Sequence, residues 1–86
     1  MQFRLTTHAQ EELARRSIPP LLLDTVLAAP QQVVPAYGGR KAYQSQLDFG
    51  GGRMFLLRAI VDDRVDPALV ITVYRTTKVA KYWSGS

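Results

Sequence analysis

The stretch that most constrains this chain is Leu69-Val70-Ile71-Thr72-Val73-Tyr74-Arg75. Its density of β-branched side chains suits a pleated, buried surface far better than a surface helix, so it reads as a strand near the C-terminus and the expected centre of a sheet. Regular alternation would send Val70, Thr72 and Tyr74 to one face and Ile71, Val73 and Arg75 to the other. Each face then carries polar groups at one end of an apolar strand, and that end is where chemistry is expected. The plainer account of Thr72 and Tyr74 is two ordinary strand residues with satisfied hydroxyls.

The rest of the chain must supply the layers around this strand. With 86 residues there is material for one core, so residues 1–86 are expected to form a single domain. A chain that is 47% hydrophobic and only 21% charged is too apolar for disorder. It has no cysteine and a single histidine, which rules out a disulfide framework, a thiolate metal site and a multi-histidine cluster, and no cofactor is expected. No apolar run approaches the roughly 20 residues of a membrane span, and the N-terminus lacks a signal-like core. A soluble, cytoplasmic protein is expected. The net charge of +4 favours a polyanion or an acidic protein as partner. The charge is spread evenly, with five basic and three acidic residues in 1–43 and six and four in 44–86, so any basic patch has to be assembled by folding.

In chain order, Phe3-Arg4-Leu5 predicts a short first strand. Thr7-His8-Ala9-Gln10 then fits a capping box, with Thr7 as N-cap and His8 as the first helical residue. There His8 either meets an incoming phosphate beside the positive end of the helix dipole or is a partly exposed residue without a role. Ala9 and Leu13 share the inward face, with Gln10, Glu11 and Arg15 outside. Ser17-Ile18-Pro19-Pro20 breaks this helix, and Pro20 to Ala28 predicts a second, stopped by Pro30. Gln32 to Tyr37 is strand-like, but Pro35 confines it to an edge or a bulge. Gly38-Gly39 turns into a strand from Arg40 to Phe49, and Gly50-Gly51-Gly52 turns into another from Arg53 to Val61. Asp62, Asp63 and Asp66 suit a solvated hairpin turn better than a metal site. After the opening strand, Thr76 to Trp83 closes as a short helix or extension, and Ser84-Gly85-Ser86 as an unstructured tail. The whole predicts an α+β fold, β-α-α-β-β-β(-β), with two N-terminal helices packed on one face of a mainly antiparallel sheet.

At Thr6-Thr7-His8-Ala9, Arg16-Ser17-Ile18 and Val70-Ile71-Thr72-Val73-Tyr74 the chain resembles a small domain family of the RelE/ParE toxin superfamily, whose members read T-x-H-A-x-x-R, R-G-I and V-V-T-V-Y in this order. Glu12 departs from the pattern where the resemblance has arginine, and Ser17 where it has glycine. The resemblance implies a RelE-like sandwich, a toxin of a toxin–antitoxin system acting as a metal-free ribonuclease, RNA as substrate and a cognate antitoxin or immunity protein as partner. It carries His8, Arg16, Thr72 and Tyr74 over as the catalytic set: His8 as acid or base, Arg16 as a phosphate clamp, Thr72 and Tyr74 as hydrogen-bonding groups. A carboxylate at Glu12 would repel phosphate near His8, and Arg15 or Arg16 would have to supply the missing charge.

Arg40, Lys41, Arg58 and Arg75 are further RNA-contact candidates, chosen by charge and strand position alone. Taken individually, Arg58 and Arg75 read as solvated surface arginines. His8, Arg16 and Tyr74 are expected to converge in a cleft between the helix hairpin and one end of the sheet. The alternative from another class is a non-catalytic module of the same fold that binds an antitoxin, another protein or RNA.

Overall fold

The computed structural model describes residues 1–85 and runs β1 (Phe3–Leu5), α1 (Thr7–Arg15), α2 (Pro20–Ala28), β2 (Gln32–Pro35), a 3-10 turn (Tyr37–Gly39), β3 (Lys41–Asp48), β4 (Met54–Asp62), β5 (Ala68–Thr76) and α3 (Val79–Tyr82). The strands make one sheet in the order β1-β5-β4-β3-β2. Strands β2 to β5 are antiparallel and β1 runs parallel to β5, so the fold is α+β with a mixed sheet. The middle strand is β4 and not the stretch at Leu69–Arg75, because β1 adds to the outer side of β5. Strand β2 takes the opposite edge, where the amide that Pro35 lacks costs no inner ladder bond. Among the described residues no helix is long and apolar enough to cross a membrane.

Both long helices cover one face of the sheet. Ala9, Ile18, Leu23, Val26 and Leu27 from the helical layer pack with Tyr43, Leu57, Ala59, Val61, Val70 and Val73 in one buried cluster. Burial of a side chain such as Leu23 or Val26 contributes about 1.5–3 kcal/mol. The other face carries no long helix. Gln44 and Arg58 alternate with members of that cluster along β3 and β4, and so point into this second face.

Strand β5 does not alternate regularly. Ile60 pairs with Thr72 but its neighbour Val61 pairs with Val70, so Ile71 is an extra residue inserted into the ladder. This bulge resets the parity of the strand: Val70 and Val73 both enter the helix-side core, while Thr72 and Tyr74 turn to the opposite face. Grouping Val70 with Thr72 and Tyr74 by strict alternation is therefore corrected.

Thr6 ties the bulge to the first helix. Its hydroxyl donates to the carbonyls of Val70 and Ile71, both at 3.1 Å, and accepts from the Ala9 amide at 3.1 Å. The N-cap is therefore Thr6 rather than Thr7, displaced by one residue because the Thr6 amide is already held by Val70 O in the β1–β5 pairing. Gln10 reaches back to the Leu5 carbonyl instead of closing a box with Thr7.

The other end of α1 closes as a Schellman motif, with Ile18 N–H donating to Leu13 O at 2.9 Å and Ser17 N–H to Ala14 O at 3.2 Å. This geometry puts Ser17 at φ 52°, in the left-handed region that favours glycine. The position where the chain departs from R-G-I is thus one where its own backbone asks for glycine. Ser17→Gly is expected to raise unfolding stability by about 1 kcal/mol in urea denaturation, the relief of left-handed strain exceeding the added chain entropy. An unchanged or lower midpoint would contradict this reading of the turn.

Candidate functional site

On the face without long helices, one residue from each of four adjacent strands lies in direct register: Gln32, Gln44, Arg58 and Tyr74. Their side chains form a continuous chain of hydrogen bonds. Gln44 Nε2 donates to Gln32 Oε1 at 2.8 Å, Arg58 Nε donates to Gln44 Oε1 at 2.8 Å, and Arg58 Nη1 donates to the Tyr74 hydroxyl. Arg58 is only 8% exposed, which corrects its reading as a solvated surface arginine. Neighbours on the pleated sheet supply its acceptors, and an aromatic ring covers it.

That ring belongs to Tyr82 on α3, with the Arg58 guanidinium carbon 4.1 Å from its centroid. A flat, weakly hydrated guanidinium is well suited to such stacking. The C-terminal segment is pinned in place by the same glutamines. Gln44 Nε2 donates to Tyr82 O at 3.1 Å, Gln32 Nε2 to Ser84 O at 2.8 Å, and Ser84 N–H to Gln32 Oε1 at 3.1 Å. Ser84 is therefore part of the structure and not of a loose tail, while Ser86, placed in that tail by sequence, lies outside the described residues.

Among the described residues no carboxylate comes within 4.0 Å of Arg58, and its Nη2 has no protein acceptor. Buried charges are normally paired, and among the described residues Arg58 is held only by neutral partners. Beside it is a cavity of about 370 Å³ lined by Ala36, Tyr37, Arg58, Ile60, Thr72, Tyr74 and Tyr82. Burial pushes the Tyr74 phenol above its ordinary pKa, with Arg58 opposing the shift. Tyr82 is held below its ordinary value, chiefly by Lys81 and then by Tyr74.

The remaining candidates lie elsewhere. His8 and Arg16 belong to a cluster on α1 centred on Glu12, which is 7% exposed. Glu12 accepts from Arg15 Nη2 at 2.6 Å and Arg16 Nε at 2.6 Å, and stands 3.9 Å from His8 Nε2. The carboxylate thus occupies the two arginines that would otherwise clamp phosphate. The expected convergence of His8, Arg16 and Tyr74 does not form: Tyr74 joins Arg58 and Thr72 on the face turned away from the layer that contains α1, because the bulge at Ile71 directs it there.

The four RNA-contact candidates also separate. Lys41 is bound to Asp63 at 3.0 Å, and Arg75 lies 5.0 Å and 4.7 Å from the ring centroids of Phe49 and Phe55. Arg40 stacks on Tyr37 at 5.6 Å, next to the cavity that Tyr37 shares with Arg58. Asp62 binds Arg64 at 2.9 Å, so with Asp63 it serves ion pairs. Gln32, Gln44, Tyr37 and Tyr82 are site residues that sequence reasoning missed. One signal was available for Gln44, since counting outward equally from Gly51 sets it opposite Arg58.

The fold and the site define a small α+β domain in which, among the described residues, a cation without a carboxylate partner stands at a tyrosine-lined cavity on the face of the sheet that lacks long helices. Residues 5–75 match the family model described as Domain of unknown function (DUF4258), and the chain belongs to that family. No curated protein and no solved structure matches it. The match includes Arg58, Thr72 and Tyr74 and ends before Tyr82.

The Glu12 cluster has a testable acid signature. Arg15 and Arg16 hold the Glu12 carboxyl down to about 2, below its unfolded value. A depressed carboxyl contributes stability that is present in full above the unfolded pKa of about 4.3 and is lost as pH falls towards about 2. Glu12→Gln is therefore expected to lower the thermal midpoint at pH 7 and to lose less between pH 5 and pH 2 than the parent protein, with Asp62, also held at about 2, supplying a residual acid limb. Parallel melting curves for the two proteins would contradict this.

Proposed function

We propose that this chain is a RelE-like, toxin-type domain that binds RNA on the sheet face lacking long helices, with Arg58 as the anchor for a backbone phosphate. The observation that carries this reading is the buried Arg58 guanidinium, which among the described residues has no carboxylate partner and no acceptor at Nη2, beside an open cavity. Gln44 and Tyr74 fix its plane, so little side-chain entropy remains to be lost when an anion docks, and two oxygens of a phosphate match the fork of N–H groups. Thr72, Tyr74 and Tyr82 line the same cavity. The net charge of +4 assists a polyanion at longer range. An antitoxin or immunity protein that neutralised such a domain would have to cover the same face.

A specific observation also favours cleavage. Metal-free RNA hydrolysis needs a base for the 2′-hydroxyl and a cation beside the phosphate in flight. Tyr82, whose ring centroid lies 4.1 Å from the Arg58 guanidinium carbon and whose phenol Lys81 holds below its ordinary value, would be the base, and Arg58 the cation. On this reading the reactive pair is Tyr82 with Arg58, and His8 on α1 is not required.

The test is RNA binding and cleavage across a salt series. Arg58→Gln is expected to weaken binding about tenfold or more and to reduce the salt slope by about one, whereas Arg75→Gln leaves both nearly unchanged. Circular dichroism on the same preparations shows whether Arg58→Gln is folded, and Arg58→Lys keeps the charge if it is not. Binding that is indifferent to both Arg58 variants would contradict the proposal. Tyr82→Phe should abolish any cleavage while binding persists, and full cleavage by that variant would leave binding alone.

A further inference from the structure

We infer that Tyr37 is a base-stacking seat, so that the cavity takes one nucleotide of a single strand, its base on Tyr37 and its phosphate on Arg58; this rests on the phosphate-binding reading above. Tyr37 is 68% exposed, yet it lines the same cavity as Arg58, Thr72, Tyr74 and Tyr82. So exposed a ring gains little from burial, yet the backbone that carries it is held in a closed turn. The turn that presents it is closed by Ala36 N–H to Arg40 O at 2.9 Å and Arg40 N–H to Tyr37 O at 3.3 Å. Gly38 and Gly39 make that closure possible at φ 69° and 76°.

Arg40 lies against the ring with its guanidinium carbon 5.6 Å from the centroid. Its Nε is buried without an acceptor, and among the described residues no carboxylate comes within 4.0 Å of it. The ring is thus supported by a cation, while most of its surface stays open to solvent. A nucleobase offers a flat π-face to such a platform, and its phosphate is drawn to the same pair of arginines. The cavity of about 370 Å³ is at the lower end of small-ligand sites, room for one nucleotide and not for a paired helix. Bases in an A-form duplex are already stacked and cannot reach Tyr37, so the ligand class is single-stranded RNA.

Fluorescence titration of the full chain with a short single-stranded RNA carrying a fluorescent adenine analogue, and with its duplex, tests this. The wild-type protein is expected to bind the single strand more tightly and to quench the analogue. Tyr37→Ala should lower single-strand affinity about tenfold and abolish the quench, Tyr37→Phe should preserve both, and duplex binding should not respond to either. Single-strand binding by Tyr37→Ala equal to wild type, or a wild-type preference for duplex, would overturn the inference. Loss of binding in Arg58→Gln without loss in Tyr37→Ala leaves the phosphate anchor standing and rejects only the stacking seat. Folded wild-type protein that binds neither form overturns both.

Discussion

A single inserted residue, Ile71, determines what each face of this protein can do. Because it interrupts the pairing of β4 with β5, Val70 and Val73 both reach the core under the helices while Thr72 and Tyr74 are turned to the other side. Without that insertion regular alternation would put Val70 on the same face as Thr72 and Tyr74, so Val70 and the row from Gln32 to Tyr74 could not take opposite faces of the sheet. The carbonyls of Val70 and Ile71 at the bulge accept from the Thr6 hydroxyl, which also caps α1 by accepting from the Ala9 amide. One threonine therefore links the start of the helical layer to the placement of a tyrosine on the far face of the sheet.

The two charged clusters show opposite electrostatic solutions. On α1, Glu12 holds Arg15 and Arg16 in a self-contained group whose carboxyl is stabilised in its ionised form. Such a cluster fixes a helix surface and has little attraction left for an anion. Arg58 is instead positioned by uncharged groups, Gln44, Tyr74 and the Tyr82 ring, which orient the guanidinium without neutralising it. Removing a cation from water without an opposite charge is costly. The molecule tolerates that cost at Arg58, beside a cavity that Tyr37, Tyr74 and Tyr82 help to line.

Local patterning carried much of the architecture. Prolines 19, 20 and 30 delimit α2, Pro35 marks an edge strand, and the glycines at 38–39 and 50–52 mark the turns around β3. The pairing of Gln44 with Arg58 also follows from the turn centred on Gly51. What could not be read was the bulge, since Val70-Ile71-Thr72-Val73 is β-branched throughout and offers no glycine or polar interruption to mark an extra residue. Strict alternation therefore misplaces Val70 beside Thr72 and Tyr74, and the expected meeting of Tyr74 with His8 and Arg16 failed with it. Nor does composition distinguish Arg58 from Arg75, since one is enclosed by partners from β3, β5 and α3 and the other rests on Phe49 and Phe55, a difference made only by tertiary pairing.

The central claim is that the ligand-facing surface is the sheet face around Arg58 and not the N-terminus of α1. The most direct measurement is a nitrogen–proton NMR titration of the labelled protein with a short single-stranded RNA, following backbone amides together with arginine side-chain Nε–H signals. The account predicts that the Arg58 Nε–H and the amides of Tyr37, Thr72, Tyr74 and Tyr82 move together and saturate with one affinity. Shifts confined to His8, Arg15 and Arg16 on α1, with the Arg58 signal unmoved at saturation, would contradict it.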